Sequence, residues 1–133
     1  MYKRQLGYRS KYVKKAAIAV NDGTINFTKL KKQRYYDARD SLCQVFGIGK
    51  KVADCILLFS LDKLEAVPLD RWVLRILKKY YSDKFEIKTK SITEKTYDEL
   101  HEKTVSYFGE YAGYAQQFLF KNERESSEKK WLG

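Results

Sequence analysis

Apolar positions recur at helical spacing along most of this chain, and one proline and seven glycines leave few places for that spacing to break. The pattern predicts an all-α fold of helices joined by short turns. Ser10 is placed to cap a helix through about Val20, which the turn signal Asn21-Asp22-Gly23 stops, and a short helix follows near Phe27 to Lys32. The next helix spans Arg34 to Phe46, with Tyr35, Ala38, Leu42, Val45 and Phe46 on one face, and another runs from Lys50 to Ser60. Asp70 sits where an N-cap belongs, ahead of the run Trp72, Val73, Leu74, Ile76 and Leu77, and Pro68 fixes the entry. Residues 81 to 92 read as irregular. Thr93 to Tyr97 opens a helix through Val105, Tyr107 and Phe108 that Gly109 ends, and a last helix covers about Tyr111 to Asn122. The tail Glu123 to Lys130, polar and of mixed charge, is expected to fray into solvent, with Trp131 and Leu132 tucking back onto the domain. There is no internal repeat or low-complexity segment.

Composition narrows the function. The 133 residues, 44% hydrophobic and 15% aromatic, suffice for a core. A net charge of +10 favours a polyanion such as nucleic acid over a small neutral substrate, although a generic basic surface would give the same sum. Cys43 and Cys55 form no C-x-x-C pair, which excludes the usual zinc spacing and fits a reducing compartment. No apolar run approaches the ~20 residues of a membrane span, and Met1 to Leu6 lacks the apolar stretch of a signal peptide. These readings predict a soluble, intracellular, DNA-associated protein with no membrane partner.

The chemistry concentrates in Leu42 to Leu57. Glycines at 47 and 49 permit a turn with φ > 0 and close approach of another chain, just where the next helix presents its unpaired N–H groups. Such a turn can hold a phosphate, which the helix dipole favours and Lys50 attracts further. A bare G-x-G often marks nothing but a tight αα-hairpin. Here Leu42, Val45 and Phe46 before the turn and Val52, Ala53, Ile56 and Leu57 after it let two helices pack closely through Ala53. Lys51 lies one residue inside the second arm, where it is either a second phosphate contact or a nucleophile, the latter only when its amine is neutral. Asp70 follows 19 residues later. Its plain role is helix capping, and a carboxylate there could also stabilise positive charge developing on a sugar as a base leaves.

The run Gly47-Ile48-Gly49-Lys50-Lys51-Val52-Ala53-Asp54-Cys55, with Val67-Pro68-Leu69-Asp70, resembles the helix-hairpin-helix-GPD DNA glycosylases, and within them the 8-oxoguanine DNA glycosylase/AP lyases. Leu6 to Val13 and Tyr111 to Phe120 extend the likeness over nearly the whole chain. The resemblance implies damaged double-stranded DNA as substrate, Lys51 as Schiff-base nucleophile and Asp70 as catalytic carboxylate. It implies that Gly47, Gly49, Lys50 and Val52 hold backbone phosphates through a monovalent cation, and that the chemistry itself needs no metal or redox cofactor. Cys55 and Phe59 would line one side of a base pocket that Pro68 closes. Phe120 would stack on the flipped purine, and Gln116 would bond its Watson–Crick edge. Tyr8 would wedge into the stack, and Arg9 would contact the orphaned cytosine. On pattern alone Phe120 reads as a core residue and Gln116 as a surface amide.

The departures are specific. Trp72 stands where the family has a phosphate-contacting histidine, and the lone His101 is expected on a helix surface. Nothing precedes Leu6 that corresponds to the family's N-terminal segment, so the chain reads as a C-terminal portion, to be completed by a missing or separate N-terminal part. Two alternatives stay open. A thymine-glycol-type endonuclease of the same superfamily keeps the lysine and aspartate but usually carries a four-cysteine iron–sulfur cluster, and no cysteine follows Lys121. A non-enzymatic helix-hairpin-helix DNA-binding module would keep the hairpin alone.

Overall fold

The computed structural model describes residues 5–85, 87 and 92–131, with side chains through residue 126. The described residues form helices joined by turns and irregular segments and contain no strand, and the chain divides into two compact units, Met1–Lys63 and Leu64–Gly133.

In the first unit a 3-10 turn, Gly7–Arg9, leads into α1, Ser10–Asn21. Ser10 does not cap this helix, contrary to the sequence pattern. The chain arrives already wound, with Arg9 and Ser10 both in helical backbone, so no extended N-cap position exists for the serine to occupy. The predicted stop is where the sequence puts it. Asp22 closes α1, and hydrogen bonds from the Thr24 hydroxyl and then from the Thr24 amide, the latter at 3.0 Å, hold its carboxyl below the usual carboxylate range. Asn26 caps α2, Phe27–Lys32, by accepting from the Lys29 amide.

Helix α3, Tyr35–Cys43, ends three residues short of the predicted Phe46. The chain unwinds there through turn bonds from the Val45 amide to the Leu42 carbonyl and from Ile48 to Val45. Val45 remains buried, but Phe46 is rotated off that face and is 60% exposed, which overturns its assignment to the core. Helix α4, Lys50–Leu61, then packs on α3, with Ala38 and Ala53 fully buried as close approach demands. Helix α2 touches both, and Lys63 donates hydrogen bonds to the carbonyls of Lys31 and Gln33 at the end of α2.

The second unit begins with a turn at Leu64 and Glu65 and a segment without regular structure to Asp70, and continues as α5, Arg71–Tyr80, and α6, Glu94–Phe108. Thr93 and Thr96 form a reciprocal capping box at the start of α6, and Gly109, at φ 74°, ends it. After a 3-10 turn, Gly109–Tyr111, helix α7 runs from Ala112 to Trp131. Val67, Leu69, Val73, Leu74, Leu77, Phe85, Tyr97, Leu100 and Ala112 make the core. Tyr81, Phe85, Tyr107 and Phe108 add a ring cluster with centroids 4.8–6.5 Å apart.

The tail does not fray at Asn122. Its Glu, Arg and Lys residues are good helix formers with no breaker among them, and Glu123 accepts from Lys79 at 3.0 Å and from the Tyr80 hydroxyl at 2.7 Å. Those two partners raise the Lys79 ammonium above its ordinary value, Tyr80 contributing most. The Trp131 side chain and Leu132, expected to tuck back, lie outside the described residues.

Candidate active site

The two hairpin glycines turn out to serve different ends. Gly47 has φ +96°, and a Cβ built on it would stand 2.4 Å from Cδ1 of Tyr12. Glycine is therefore required there by the protein's own packing. Gly49 does not take the positive φ expected of it. Its backbone is extended, at φ −94° and ψ 175°, and it is the N-cap of α4. A Cβ on it would meet nothing within 4 Å, so the space before the helix end is open. No side chain caps α4, and its backbone ladder begins with Ala53 donating to the Gly49 carbonyl. The first-turn amides of Lys50, Lys51 and Val52 thus lie at the positive end of the helix dipole with open space before them.

Lys51 and Val52 are exposed and Lys50 is half-buried. Lys51, Cys55 and Phe59 recur every four residues and so share one face of α4. Cys55 is half-buried there, and Phe59 is 60% exposed, an unusual outlay of apolar surface on a helix that buries Leu57, Leu58 and Leu61 elsewhere. Neither Cys43 nor Cys55 is in a disulfide.

Behind the hairpin is a polar group that the pattern did not predict. The Tyr35 hydroxyl donates to Oδ1 of Asp54 at 2.7 Å, and Nη1 of Arg39 donates to the Tyr35 hydroxyl at 3.2 Å. All three residues are buried, Asp54 completely. The network ties α3 to α4 one turn beyond Lys51. The available signal was the four-residue spacing of Tyr35 and Arg39 on the α3 face that also carries Ala38 and Leu42.

In the second unit, the segment leading to Asp70 is pinned from α6 and α7. Tyr97 brackets Pro68: its hydroxyl donates to the Val67 carbonyl at 3.2 Å and lies 3.3 Å from the Leu69 amide, which donates to it. His101 is buried rather than exposed as expected, with Nε2 2.9 Å from the Glu65 carbonyl. It shares the face of Tyr97, Leu100 and Thr104, and that spacing of three and four was the readable sign of burial. Gly113 donates to the Leu64 carbonyl at 2.9 Å. Val67, Pro68 and Leu69 are accordingly buried, and the chain is delivered to Asp70 in one conformation.

Asp70 caps α5 as predicted. Both bonds, from the Trp72 and Val73 amides at 2.9 Å, fall on Oδ1, so capping occupies one carboxylate oxygen. Trp72 is 45% exposed; its ring meets Phe120 edge-on at 6.4 Å, and the Arg75 guanidinium lies 5.6 Å from it. Phe120 is half-buried rather than a core residue. Gln116, one turn earlier on α7, is 5% exposed rather than a surface amide, and Gln117 donates to its Oε1 at 2.6 Å. The plain pattern reading fails for both, and the two residues share a face of α7.

At the other end of the chain Tyr8 and Arg9 are both exposed, with the guanidinium 4.7 Å over the tyrosine ring. The structure therefore gathers the predicted residues as two sets, one on the hairpin and the 3-10 turn, one around Asp70 and α7. Among the described residues no cluster of His, Cys, Asp and Glu could hold a metal ion, and no helix is long and apolar enough to cross a membrane.

No family model matches the chain. Among curated proteins it is 37% identical over 122 residues to the N-glycosylase/DNA lyase OGG1 of Arabidopsis thaliana, covering 89% of this chain and 33% of that protein. It is 32% identical over 121 residues to a probable N-glycosylase/DNA lyase of Methanothermobacter thermautotrophicus, covering 91% and 36%. Among solved structures it resembles the 8-oxoguanine glycosylase/lyase of Clostridium acetobutylicum in complex with double-stranded DNA containing cytosine opposite 8-oxoguanine. That match has a TM-score of 0.75 and 32% identity, over 92% of this chain and 39% of the other. It also resembles MBOgg1 in complex with a low-affinity DNA ligand, with a TM-score of 0.79 and 34% identity, over 94% and 40%. The chain spans about a third of the length of the curated relatives it matches. Over about nine-tenths of its length the chain is similar in sequence to one portion of proteins named N-glycosylase/DNA lyase, and its fold is similar to the corresponding part of the solved 8-oxoguanine glycosylase structures.

Proposed function

We propose that this chain carries the phosphate grip and the reacting residues of a base-excision DNA N-glycosylase/AP lyase that removes 8-oxoguanine from duplex DNA inside the cell. The observation that carries the reading is the hairpin itself. An uncapped helix end with open space at Gly49 is followed within two residues by an exposed lysine, in a chain whose relatives are named for glycosylase and lyase activity. Gly47, Gly49, Lys50 and Val52 would hold backbone phosphates, with a monovalent cation as the optional bridge. The damaged base would be extruded at a cost of a few kcal/mol, offset by Phe120 stacking, Gln116 edge bonding, and Tyr8 and Arg9 filling and reading the vacated position. Cys55, Phe59 and Pro68 would line the pocket.

Lys51 is exposed on α4, so the desolvation that favours a neutral amine would come from DNA closing over it. The amine adds to C1′ as the bond to the base breaks, the base takes the electron pair and a proton, and opening of the sugar ring leaves an imine. The imine acidifies C2′, and loss of that proton expels the 3′ phosphate. The Oδ2 oxygen of Asp70, outside the cap, would stabilise the positive charge that develops on the sugar.

A nicking and trapping assay on an 8-oxoguanine·cytosine duplex tests the reading. Borohydride should trap a covalent adduct, and Lys51→Gln should abolish both trapping and nicking while duplex binding persists. Binding without any adduct in the unaltered protein would favour the DNA-binding-module alternative.

A further inference from the structure

Three rings stand in line on the first unit, on the side of the hairpin turn that faces α1. Tyr8 and Tyr12 meet edge to face at 6.5 Å, and Tyr12 and Phe46 tilt together at 5.5 Å. The Lys11 ammonium lies 5.1 Å from the Tyr12 ring and 5.9 Å from the Phe46 ring. Phe46, 60% exposed, immediately precedes Gly47, and nothing in the proposed chemistry uses it.

Its setting limits what it can be. Tyr12 is locked against Gly47 so tightly that a Cβ there would overlap its ring, which makes Tyr12 a fixed backing for Phe46. The outer face of Phe46 meets solvent beside a lysine and three residues before Gly49 at the open end of α4. An aromatic face beside a cation, next to a phosphate grip, is an arrangement by which proteins hold unstacked bases of a strand whose backbone they neutralise. A chain of net charge +10 selects a polyanion over an apolar or basic protein surface for this patch.

We infer that Phe46, backed by Tyr12 and flanked by Lys11, is a stacking platform for a nucleobase of the gripped strand that has lost its neighbour in the duplex. The inference rests on the DNA reading above and adds a contact that it does not require. It does not depend on Lys51 chemistry.

The test measures binding by the full chain of two duplexes, one intact and one with a short unpaired bubble, across a salt series. Phe46→Ala should weaken bubble binding about five- to hundredfold, the range for one base–aromatic stack, with little change on the intact duplex. Its slope of log K against log salt should stay unchanged, whereas Lys11→Ala should flatten the slope by about one phosphate equivalent. Phe46→Trp should bind as the unaltered protein does. Phe46→Leu, which keeps apolar packing on Tyr12 without a π-face, should lose the preference for the bubble, and it decides the matter if the alanine variant folds poorly.

Leucine binding as well as phenylalanine would overturn the inference, since packing alone would then suffice. So would equal losses on both duplexes, or a drop in melting temperature with unchanged DNA binding, which would make Phe46 a packing residue of this chain. If the unaltered chain binds neither duplex, the proposed function itself falls. If it binds both and Phe46→Ala changes nothing, only this inference does.

Discussion

The two units reach a defined structure by different means. In Leu64–Gly133, hydrogen bonds from Tyr97 and His101 hold the segment before Asp70, but the aromatic end is ordered by apolar burial: Phe85 is 2% exposed among Tyr81, Tyr107 and Phe108, and the nine-residue core continues from it through α5 and α6. In Met1–Lys63 the hairpin is set by hydrogen bonds and steric fit, through Tyr35, Arg39 and Asp54 behind α4 and Tyr12 against Gly47 before it. That unit also leaves Val13, Ile18 and Val20 of α1 at least 44% exposed. Apolar packing tolerates changes that conserve volume, whereas a hydrogen-bonded or glycine-dependent contact tolerates almost none. The hairpin that would grip a phosphate is built to that tighter tolerance, although apolar residues from Ile25 to Leu61 pack the rest of its unit.

The largest expected effect sharpens this contrast in the second unit. Phe85→Ala should cost about 3–5 kcal/mol, the range for emptying a buried aromatic site. Phe85→Leu should recover most of that loss, since volume and not ring chemistry is what the cluster demands. Urea unfolding of both variants measures it, and a leucine variant as unstable as alanine would show the second unit to be as geometry-bound as the first.

A smaller effect separates the two glycines. Gly47→Ala forces a side chain into a left-handed backbone and against Tyr12, a combined cost of roughly 2–4 kcal/mol. Gly49→Ala, extended and facing open space, should stay within about 1 kcal/mol of the unaltered protein. If a DNA backbone approaches that space, Gly49→Ala should nonetheless weaken duplex binding while the melt hardly moves. Gly47 would then be glycine for the protein and Gly49 glycine for the ligand. Equal stability losses, or an intact affinity in Gly49→Ala, would remove that distinction.

How much of this was legible in the sequence follows the same divide. Helices α2 and α4, the Asp70 cap and the Thr93–Thr96 start were readable because each is set by local spacing and capping chemistry. Ser10 failed because the preceding backbone was already helical, which no local rule reveals. Phe46 failed because the α3 pattern runs on through it, while the turn at Gly47 rotates it outward. His101 was misplaced by residue type against a periodicity that put it on the buried face. Of the candidate site, the turn at Gly47 and the helix start at Lys50 were legible, whereas the extended backbone of Gly49 was not expected. The Tyr35–Asp54 network and the pinning of the segment before Asp70 by Tyr97 were not, because each joins residues 19 to 30 positions apart.

Asp70→Asn carries the smallest change in stability and the sharpest question. Asparagine keeps an Oδ1 acceptor and ranks with aspartate as an N-cap, so the bonds to the Trp72 and Val73 amides should survive with a loss of no more than a few tenths of a kcal/mol. What it removes is the negative charge, including that on the oxygen the cap leaves unused. If the carboxylate works only as a cap, nicking and trapping should follow the melt and hardly change. If it stabilises charge on the sugar, turnover at saturating DNA should fall about 10²–10³-fold, the range for deleting one preorganised electrostatic contact, with duplex affinity nearly constant. Asp70→Ala completes the set. It should lose about 1 kcal/mol of stability beyond asparagine while reacting no more slowly, because the cap and the charge would then have been removed separately. An asparagine variant of unaltered turnover would confine Asp70 to folding and leave the chemistry of the proposed lyase to Lys51.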